Sequence, residues 1–388
     1  METTLFFNLI NDNDFFNLKK LKYKYSEKEV SNCIDILKST MFREIKLKDF
    51  TGNNFVFIPS KVSLNINSVK NLIKPNLTEY NYGFKAMNEE IYSTLEIENI
   101  HSERKNIENV LNGYAISGNR DNHIMGIKKG LDFISDNTNK INKENLKTLY
   151  NLAIGNYLQG ETKLLEGHFY RHDKVFVVGG KEIHEGLAYE KLPEYMDKFI
   201  KFIDDKSDID DFIKSVIIHF YLAYIHPYFD GNGRMARLLH LWFLVQKGYP
   251  TSLFVSFSKH INYSKKKYYK AFQIIEENQK MSKVIDVTPF INYFIENVYN
   301  KLEFNGNEES IFDIFLEKLN AGEITLKEKE LWNFVISHYG KNEFTTKELE
   351  KTFGNAAYAT IRSFVLKFEG FGLLGSQKYK NRNKYFIK

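Results

Sequence analysis

The segment 226–237 (HPYFDGNGRMAR) constrains this chain most, because glycines and charged residues there separate two long apolar helical patterns. Periodicity predicts helices over 208–225 and 232–247, which leaves 226–231 as the loop between them. Glycines on both sides of Asn232 allow backbone N–H groups to converge at the start of the second helix. A helix N-terminus carries partial positive charge, so the segment predicts an anion-binding turn.

Four charged or titratable side chains lie in the same segment. Arg234 and Arg237 fall three apart on one helix face, where each charge opposes the helix dipole by about 0.3–1 kcal/mol when exposed. A bound polyphosphate would reverse that cost. Asp230 offers a hard oxygen that suits Mg²⁺, and His226 titrates near neutrality, as a general base must. Each feature alone is more typical of an ordinary turn, a loop histidine or a solvated face, but their combination favours function.

The segment resembles the signature of Fic-domain proteins, His-Pro-Phe-x-(Asp/Glu)-Gly-Asn-Gly-Arg-x-x-Arg, and departs from it only at Tyr228, where Phe is usual. A looser resemblance extends from about residue 55 to 300. It includes the segment 170–186, a strand, Gly-Gly turn and strand that resembles the family's flap beside the target site. The resemblance implies a mainly α fold: a Fic-type helical bundle with a small β-hairpin flap.

The family transfers AMP from ATP to a hydroxyl side chain of a protein, and the resemblance implies this activity here. It also implies a role for each motif residue: His226 as the base that takes the hydroxyl proton, Asp230 as the Mg²⁺ ligand, Gly231, Asn232 and Gly233 as the anion hole, Arg234 on the β-phosphate and Arg237 on the γ-phosphate. A relative that transfers phosphate has Lys at the position of Gly233, so glycine there favours AMP transfer. The signature specifies the cradle for the diphosphate but not the nucleobase of the donor. UTP, GTP or a CDP-alcohol therefore remain as alternative donors.

Three residues farther along resemble positions near the family's adenosine pocket: Asn262, Tyr268 and Tyr269. Plain helix packing explains the same residues equally well. Both interpretations stay open on the sequence alone.

An inhibitory pattern of the family, (Ser/Thr)-x-x-x-Glu-(Gly/Asn), resembles the segment 94–99, in which Glu98 is the glutamate. An apolar stripe formed by Met87, Ile91 and Leu95 predicts that a helix carries it. The resemblance implies that Glu98 pairs with Arg237, so that ATP binds in an unproductive pose. In some relatives the same glutamate helps a water to remove AMP. A second candidate, Glu108, has Arg rather than Ser or Thr four residues earlier.

The basic character of the chain lies at its C-terminal end. The formal net charge is only +5, but residues 341–388 contain ten Lys or Arg against four Glu. Three helical patterns come first in this region: one at 326–338, one that follows a capping box at Thr345, and one at 356–368. A basic hairpin comes after them. This order resembles a winged-helix variant of helix-turn-helix. A DNA-binding regulator with a secondary Fic core is therefore the alternative function, although winged helices also bind proteins.

The remaining patterns divide the chain into an N-terminal region with the inhibitory helix (1–110), the catalytic core (111–303), a linker with a connecting helix (304–325) and the winged-helix domain (326–388). Further helices are predicted at 119–135, 143–157, 192–204, 263–277, 289–302 and 310–319, and a short strand at 54–60. Cys33 is the only cysteine, and the sequence shows no secretory signal and no long apolar run, so we expect a cytoplasmic protein. The partners expected are ATP, a target protein, possible DNA and, by resemblance, a second copy of the chain.

Overall fold

The structure is a computed structural model, and it describes residues 2–65, 69, 72, 84–113, 119–179, 182–302, 314–315, 317–319, 321–339, 343–379 and 382–388. Within these ranges no helix has the length and apolar character needed to cross a membrane.

The described elements are mostly helices. In chain order the helices are α1 Thr3–Ile10, α2 Leu18–Lys24, α3 Glu27–Thr40, α4 Phe84–Ile97, α5 Arg104–Leu111, α6 Asn119–Ser135, α7 Lys143–Ala153, α8 Leu192–Asp204, α9 Asp211–Ile225, α10 Asn232–Gln246, α11 Phe257–Tyr263, α12 Lys265–Ser282, α13 Thr288–Asn297, α14 Leu326–His338, α15 Thr346–Phe353 and α16 Tyr358–Gly370. Three antiparallel hairpins pair β1 Arg43–Lys48 with β2 Asn54–Phe57, β3 Phe176–Gly179 with β4 Glu182–Glu185, and β5 Leu374–Tyr379 with β6 Arg382–Ile387.

The centre of the molecule is the pair α9 and α10, which pack against each other with most of their side chains buried. The predicted bounds of both helices are close to those observed. Helix α9 begins three residues later than predicted, because the side chain of Asp210 caps it by accepting hydrogen bonds from Phe212 N and Ile213 N. The loop between the helices, 226–231, is where the sequence places it.

Among the residues that the structure describes, buried apolar side chains form three clusters. Helices α1–α3 enclose a small cluster that runs from Leu9 to Ile58. The largest cluster runs from Ile45 to Leu302 and contains residues of α4 together with those of α9 and α10. Helix α4 is therefore part of the same core as the central pair. The third cluster belongs to the C-terminal region.

Other predicted helices also differ from those observed. The one expected over 263–277 begins at Lys265 and runs to Ser282, because the chain breaks at Ser264 between α11 and α12, where the Ser264 hydroxyl donates back to His260 O. Those expected over 143–157 and 289–302 end early, in 3₁₀ turns at Gly155–Tyr157 and Tyr299–Lys301. The predicted linker 304–310 and the start of the helix expected over 310–319 lie outside the described residues.

The C-terminal region contains three helices followed by a hairpin, the order that the sequence predicts. Thr345 forms a capping box with Glu348 at the start of α15, and Gly354 ends that helix in the left-handed conformation. Phe344 pairs with Tyr385 and so ties the start of α15 to the hairpin. Helix α14 of this region packs against α4 of the main core.

Candidate active site

His226 stands at the C-terminal end of α9 in the left-handed conformation, with φ of 54°. Its Nδ1 lies 3.0 Å from Ala223 O. Because a carbonyl can only accept, Nδ1 carries the hydrogen and Nε2 keeps its lone pair. Burial lowers the pKa of His226 below its ordinary value of 6.5. The imidazole is therefore neutral at neutral pH and can accept a proton at Nε2.

Arg171 fixes the backbone on which His226 sits, a role that the sequence did not reveal. This buried side chain donates from Nε to His226 O at 2.8 Å, and its backbone N donates to Pro227 O at 2.9 Å. Its two other nitrogens donate to Asp173 O and Leu187 O, which flank the β3–β4 hairpin. One guanidinium thus joins the base of the hairpin to the histidine loop.

Asn232 shapes the loop with its side chain. Its Oδ1 accepts from Tyr228 N at 3.0 Å and its Nδ2 donates to Tyr228 O at 2.8 Å. The Tyr228 ring is fully buried and stacks on Tyr150 with ring centroids 3.8 Å apart. Tyr228 therefore serves as the aromatic anchor of the loop. With Oδ1 and one amide hydrogen engaged in this way, the Asn232 side chain holds the loop, and the role of its backbone N–H in the anion hole stays a prediction.

The two glycines of the turn are required for different reasons. Gly231 has φ of 81°, and a Cβ there would overlap the side chain of Ile154. Gly233 lies in the first turn of α10 with ordinary helical geometry. A Cβ at Gly233 would overlap Glu98 Oε1, so glycine is needed for the close approach of the glutamate.

Arg234 is almost completely buried at the N-terminal end of α10. Its Nη2 lies 3.1 Å from Asp230 Oδ2 and its Nη1 lies 3.3 Å from His123 Nδ1. Burial, and then the charge of Arg234, lower the pKa of His123, which favours the neutral ring beside the guanidinium. His123 is a second site residue that the sequence did not reveal.

Arg237 is also buried, and it contacts the segment 94–99, which the sequence predicts to be inhibitory. Its Nε donates to Thr94 Oγ1 at 2.7 Å, and its Nη2 donates to Thr94 O at 3.2 Å and to Glu98 Oε1 at 2.6 Å. The structure therefore brings together Glu98 and Arg237 within one chain. The other candidate, Glu108, is exposed on α5.

Two buried nitrogen atoms at this site have no hydrogen-bond partner among the described residues: Arg234 Nε and Arg237 Nη1. A buried charged donor without a partner is costly, and a bound anion would satisfy it. Together with the α10 N-terminus, these donors fit a polyphosphate.

The residues present also fit a magnesium ion that is held jointly with phosphate. Asp230 is half-exposed beside the cradle, with Oδ1 accepting from Gly231 N at 2.5 Å. In the part of the chain that the structure describes, no group of three or more His, Cys, Asp or Glu could hold a metal ion. Mg²⁺ commonly takes one or two carboxylates and completes its shell with phosphate and water, which this single carboxylate allows.

Helix α4 is attached to the core along its length. Met87, Ile91, Leu95 and Ile97 are buried, which stabilises the helix by roughly 6–12 kcal/mol in total. Glu98 follows directly after the helix ends. The predicted apolar stripe is thus the face that seats the inhibitory segment in the core.

The three residues assigned to an adenosine pocket take different positions. Tyr268 is buried, with Oη 2.9 Å from His219 Nε2, which is a packing position. Tyr269 is about half exposed, and its Oη donates to Ile97 O at 3.3 Å, close to the inhibitory segment. Asn262 is partly buried on α11. A nucleotide role for these three stays a prediction.

The predicted flap is an antiparallel hairpin in which Phe176 pairs with Glu185 and Gly179 with Glu182. Strand β3 approaches α12, and the Phe176 side chain is exposed.

Sequence comparisons relate this geometry to known proteins. Residues 140–244 match the model of the Fic/DOC family. The chain is 28% identical over 178 residues to protein adenylyltransferase Fic of Aedes aegypti, and equally so to that of Culex quinquefasciatus. The enzyme of the same name from Drosophila melanogaster is 24% identical over 177 residues. Each match covers 45% of this chain and 32% of the relative, so the chain spans about a third of the length of the curated relatives it matches.

Solved structures share the fold. A Fic family protein from Desulfovibrio desulfuricans G20 superposes with a TM-score of 0.51 at 16% identity, covering 86% of this chain and 97% of its own. Fic-1 from C. elegans (residues 134–508) has a TM-score of 0.50 at 17% identity, covering 76% of this chain and 82% of its own. The mainly helical fold expected from the sequence is confirmed by these neighbours.

Proposed function

We propose that this chain, which contains a Fic domain over residues 140–244, is a protein adenylyltransferase that its own Glu98 holds inhibited. One observation carries the proposal. Arg234 and Arg237 each have a buried guanidinium nitrogen without a partner among the described residues. Both lie on the helix that follows the loop of His226, and Nε2 of that histidine keeps its lone pair. The relatives named protein adenylyltransferase support ATP as the donor and a protein as the acceptor.

The reaction would be an in-line displacement at the α-phosphorus of ATP. The hydroxyl oxygen of a Ser, Thr or Tyr attacks this phosphorus while its proton passes to His226 Nε2. The bond from the α-phosphorus to the oxygen bridging to the β-phosphate breaks, and pyrophosphate leaves. Charge that develops on the phosphate oxygens is stabilised by donors fixed before the reaction, namely Arg234, Arg237 and the backbone N–H groups at the start of α10.

Asp230 is the residue that would hold Mg²⁺. When bound, the ion would supply positive charge that offsets the charge on the leaving pyrophosphate. In this structure one oxygen of Asp230 accepts a hydrogen bond from Gly231 N and the other accepts one from Arg234. If the Asp230 carboxylate turned towards a cation, both donors would become free to bind phosphate.

Glu98 would inhibit the reaction by occupying Arg237 Nη2, which is expected to bind the γ-phosphate. A triphosphate that lacks this partner binds in a pose unsuited to in-line attack. The same carboxylate could activate a water that removes AMP from a modified protein, and this reverse activity is part of the proposal.

The test is transfer of label from ATP to protein, with Mg²⁺, using α-labelled and γ-labelled ATP in parallel. We compare the wild type, Glu98→Gly, and Glu98→Gly combined with His226→Ala. Glu98→Gly should raise α-label transfer by about 10–100-fold, because a charge-assisted hydrogen bond contributes about 1.5–3 kcal/mol. Adding His226→Ala should lower it by about 10²–10⁴-fold through loss of the general base.

Glu108→Gly is the matched control, because Glu108 is the exposed second candidate and its loss should leave transfer unchanged. Transfer of the γ-label without the α-label would show that the chain transfers phosphate and not AMP. Stronger labelling from UTP or GTP would show that the donor is not ATP. No labelling by Glu98→Gly from any of these donors would contradict the proposed activity.

A DNA-binding role for the C-terminal region is the second candidate, favoured by three exposed basic side chains. Arg362 lies on α16, and Lys378 and Arg382 lie on the hairpin that follows it. Binding of random duplex DNA that weakens steeply with salt, and is lost when all three become Ala, would support this role. Equal retention of DNA by both proteins would contradict it.

A further inference from the structure

Glu98 can leave Arg237 only by a local movement. Its helix, α4, is seated in the same apolar core as α9 and α10. At its other half, Glu90 is buried and accepts hydrogen bonds from Ser256 Oγ at 2.8 Å and Ser258 N at 3.0 Å. Detaching the whole helix would expose all of these groups. The turn that follows the helix is the part that can rearrange at low cost.

That turn, 96–100, is held by hydrogen bonds from the first residue of α12. Lys265 Nζ donates to Glu96 O at 2.9 Å and to Asn99 Oδ1 at 2.8 Å. Glu96 O, which also accepts from Asn99 N at 3.1 Å, is one of the last carbonyls of α4, and a cation there complements the helix dipole. Asn99 has φ of 59°, a left-handed conformation that a side-chain hydrogen bond helps to maintain. Lys265 therefore stabilises both residues that flank the turn of Glu98.

We propose that Lys265 is a positioning residue for the inhibitory glutamate, and that it sets how strongly the chain is inhibited. The proposal rests on the proposed function, because it assumes that Glu98 restrains transfer. It adds a residue outside the 94–99 pattern and outside the 226–237 motif. Lys265 touches neither Arg237 nor the cradle in the hydrogen bonds described, and acts through the backbone that carries Glu98.

The first test measures α-label transfer by Lys265→Met and Lys265→Arg. Lys265→Met should raise transfer by about 5-fold, less than Glu98→Gly, because it loosens the turn and leaves Glu98 itself in place. Lys265→Arg, which keeps the charge and the donors, should raise it less. Lys267→Met is the matched control on the same helix, because Lys267 Nζ donates to Asn297 Oδ1 at 3.1 Å, away from α4.

Combination with Glu98→Gly distinguishes positioning from a general effect on the fold. Once Glu98 is absent, Lys265→Met should change neither kcat nor the KM for ATP by more than about 2-fold. A further rise in the double variant, or no rise in the single variant while Glu98→Gly is active, would overturn the proposal for Lys265 and leave the proposed function intact.

Hydrogen exchange gives a readout that needs no activity. The amides of Asn99 and Ile100 donate to Glu96 O and Leu95 O, at 3.1 and 2.9 Å. Lys265→Met should speed exchange at these amides and leave the body of α4 protected. Unchanged exchange at residues 98–100 would overturn the proposal whether or not the chain transfers AMP.

Discussion

The two sides of the site that meet at Arg237 are held in different ways. On the cradle side, buried hydrogen bonds fix the loop: Arg171 binds His226 O, and Asn232 binds both backbone groups of Tyr228. On the side that we propose is inhibitory, Glu98 is partly exposed and its turn depends on a few polar contacts at the surface. The difference indicates that the loop of His226 is fixed by buried contacts, whereas the contact between Glu98 and Arg237 can be changed without disturbing that loop.

The largest effect should come from loosening the cradle. Asn232→Ala, made in the Glu98→Gly background, leaves Tyr228 N and O without partners and frees the loop. We expect transfer to fall by about 10²-fold or more, since a displacement of about 1 Å at a reacting group can have that effect. The measurement is α-label transfer per folded protein. Retention within about 3-fold would mean that the loop does not depend on this amide.

A substitution of Arg171 also tests the cradle side, because this residue holds the loop of His226 from the base of the β3–β4 hairpin. Arg171→Met in the Glu98→Gly background should lower transfer by about 10–100-fold, because His226 O and Leu187 O both lose their donor. Thermal unfolding of the same protein separates loss of position from loss of fold. An active variant with a lowered unfolding temperature would show that Arg171 contributes stability alone.

Thr94 tests the inhibitory side. Thr94→Val in the otherwise unchanged chain removes the acceptor of Arg237 Nε and keeps the shape of the side chain. Transfer should rise by about 5-fold, the equivalent of roughly 1 kcal/mol. Thr94→Ser keeps the hydroxyl and should leave transfer unchanged. If Thr94→Val lowered transfer instead, Thr94 would belong to the cradle side of the comparison.

The smallest effect is a shift in pH dependence. The general base must be neutral, and burial lowers the pKa of His226, so the neutral form persists to lower pH than for an exposed histidine. In Glu98→Gly, the acidic limb of kcat/KM should therefore lie below pH 6.5. The measurement is kcat/KM between pH 5 and 8. A limb above that value would mean that the charge of a neighbour outweighs burial.

The sequence predicts the site residues that lie in one short segment, and it misses those that act by binding backbone groups far away in the chain. The motif residues from His226 to Arg237 lie in one segment, and Glu98 follows a recognisable pattern. Arg171 and Lys265 bind carbonyl groups 55 and 169 positions away. Every residue has a carbonyl, so no residue type marks such a partner.

The fold follows the same division. Helices α6, α8 and α14 have the predicted bounds, because their periodicity and end signals agree. Strand β1 was not predicted, since it forms only by pairing with β2, and the interruption at Ser264 depends on how that residue bonds to His260.

The overlap between a Cβ at Gly233 and Glu98 also limits how this chain can diverge. A substitution at Gly233 would displace the Glu98 carboxylate from Arg237. Because that oxygen is the end of a flexible side chain, the displacement needs no change in the fold. One change in the turn would therefore alter the phosphate cradle and the proposed restraint together, so the two properties cannot evolve independently at this position.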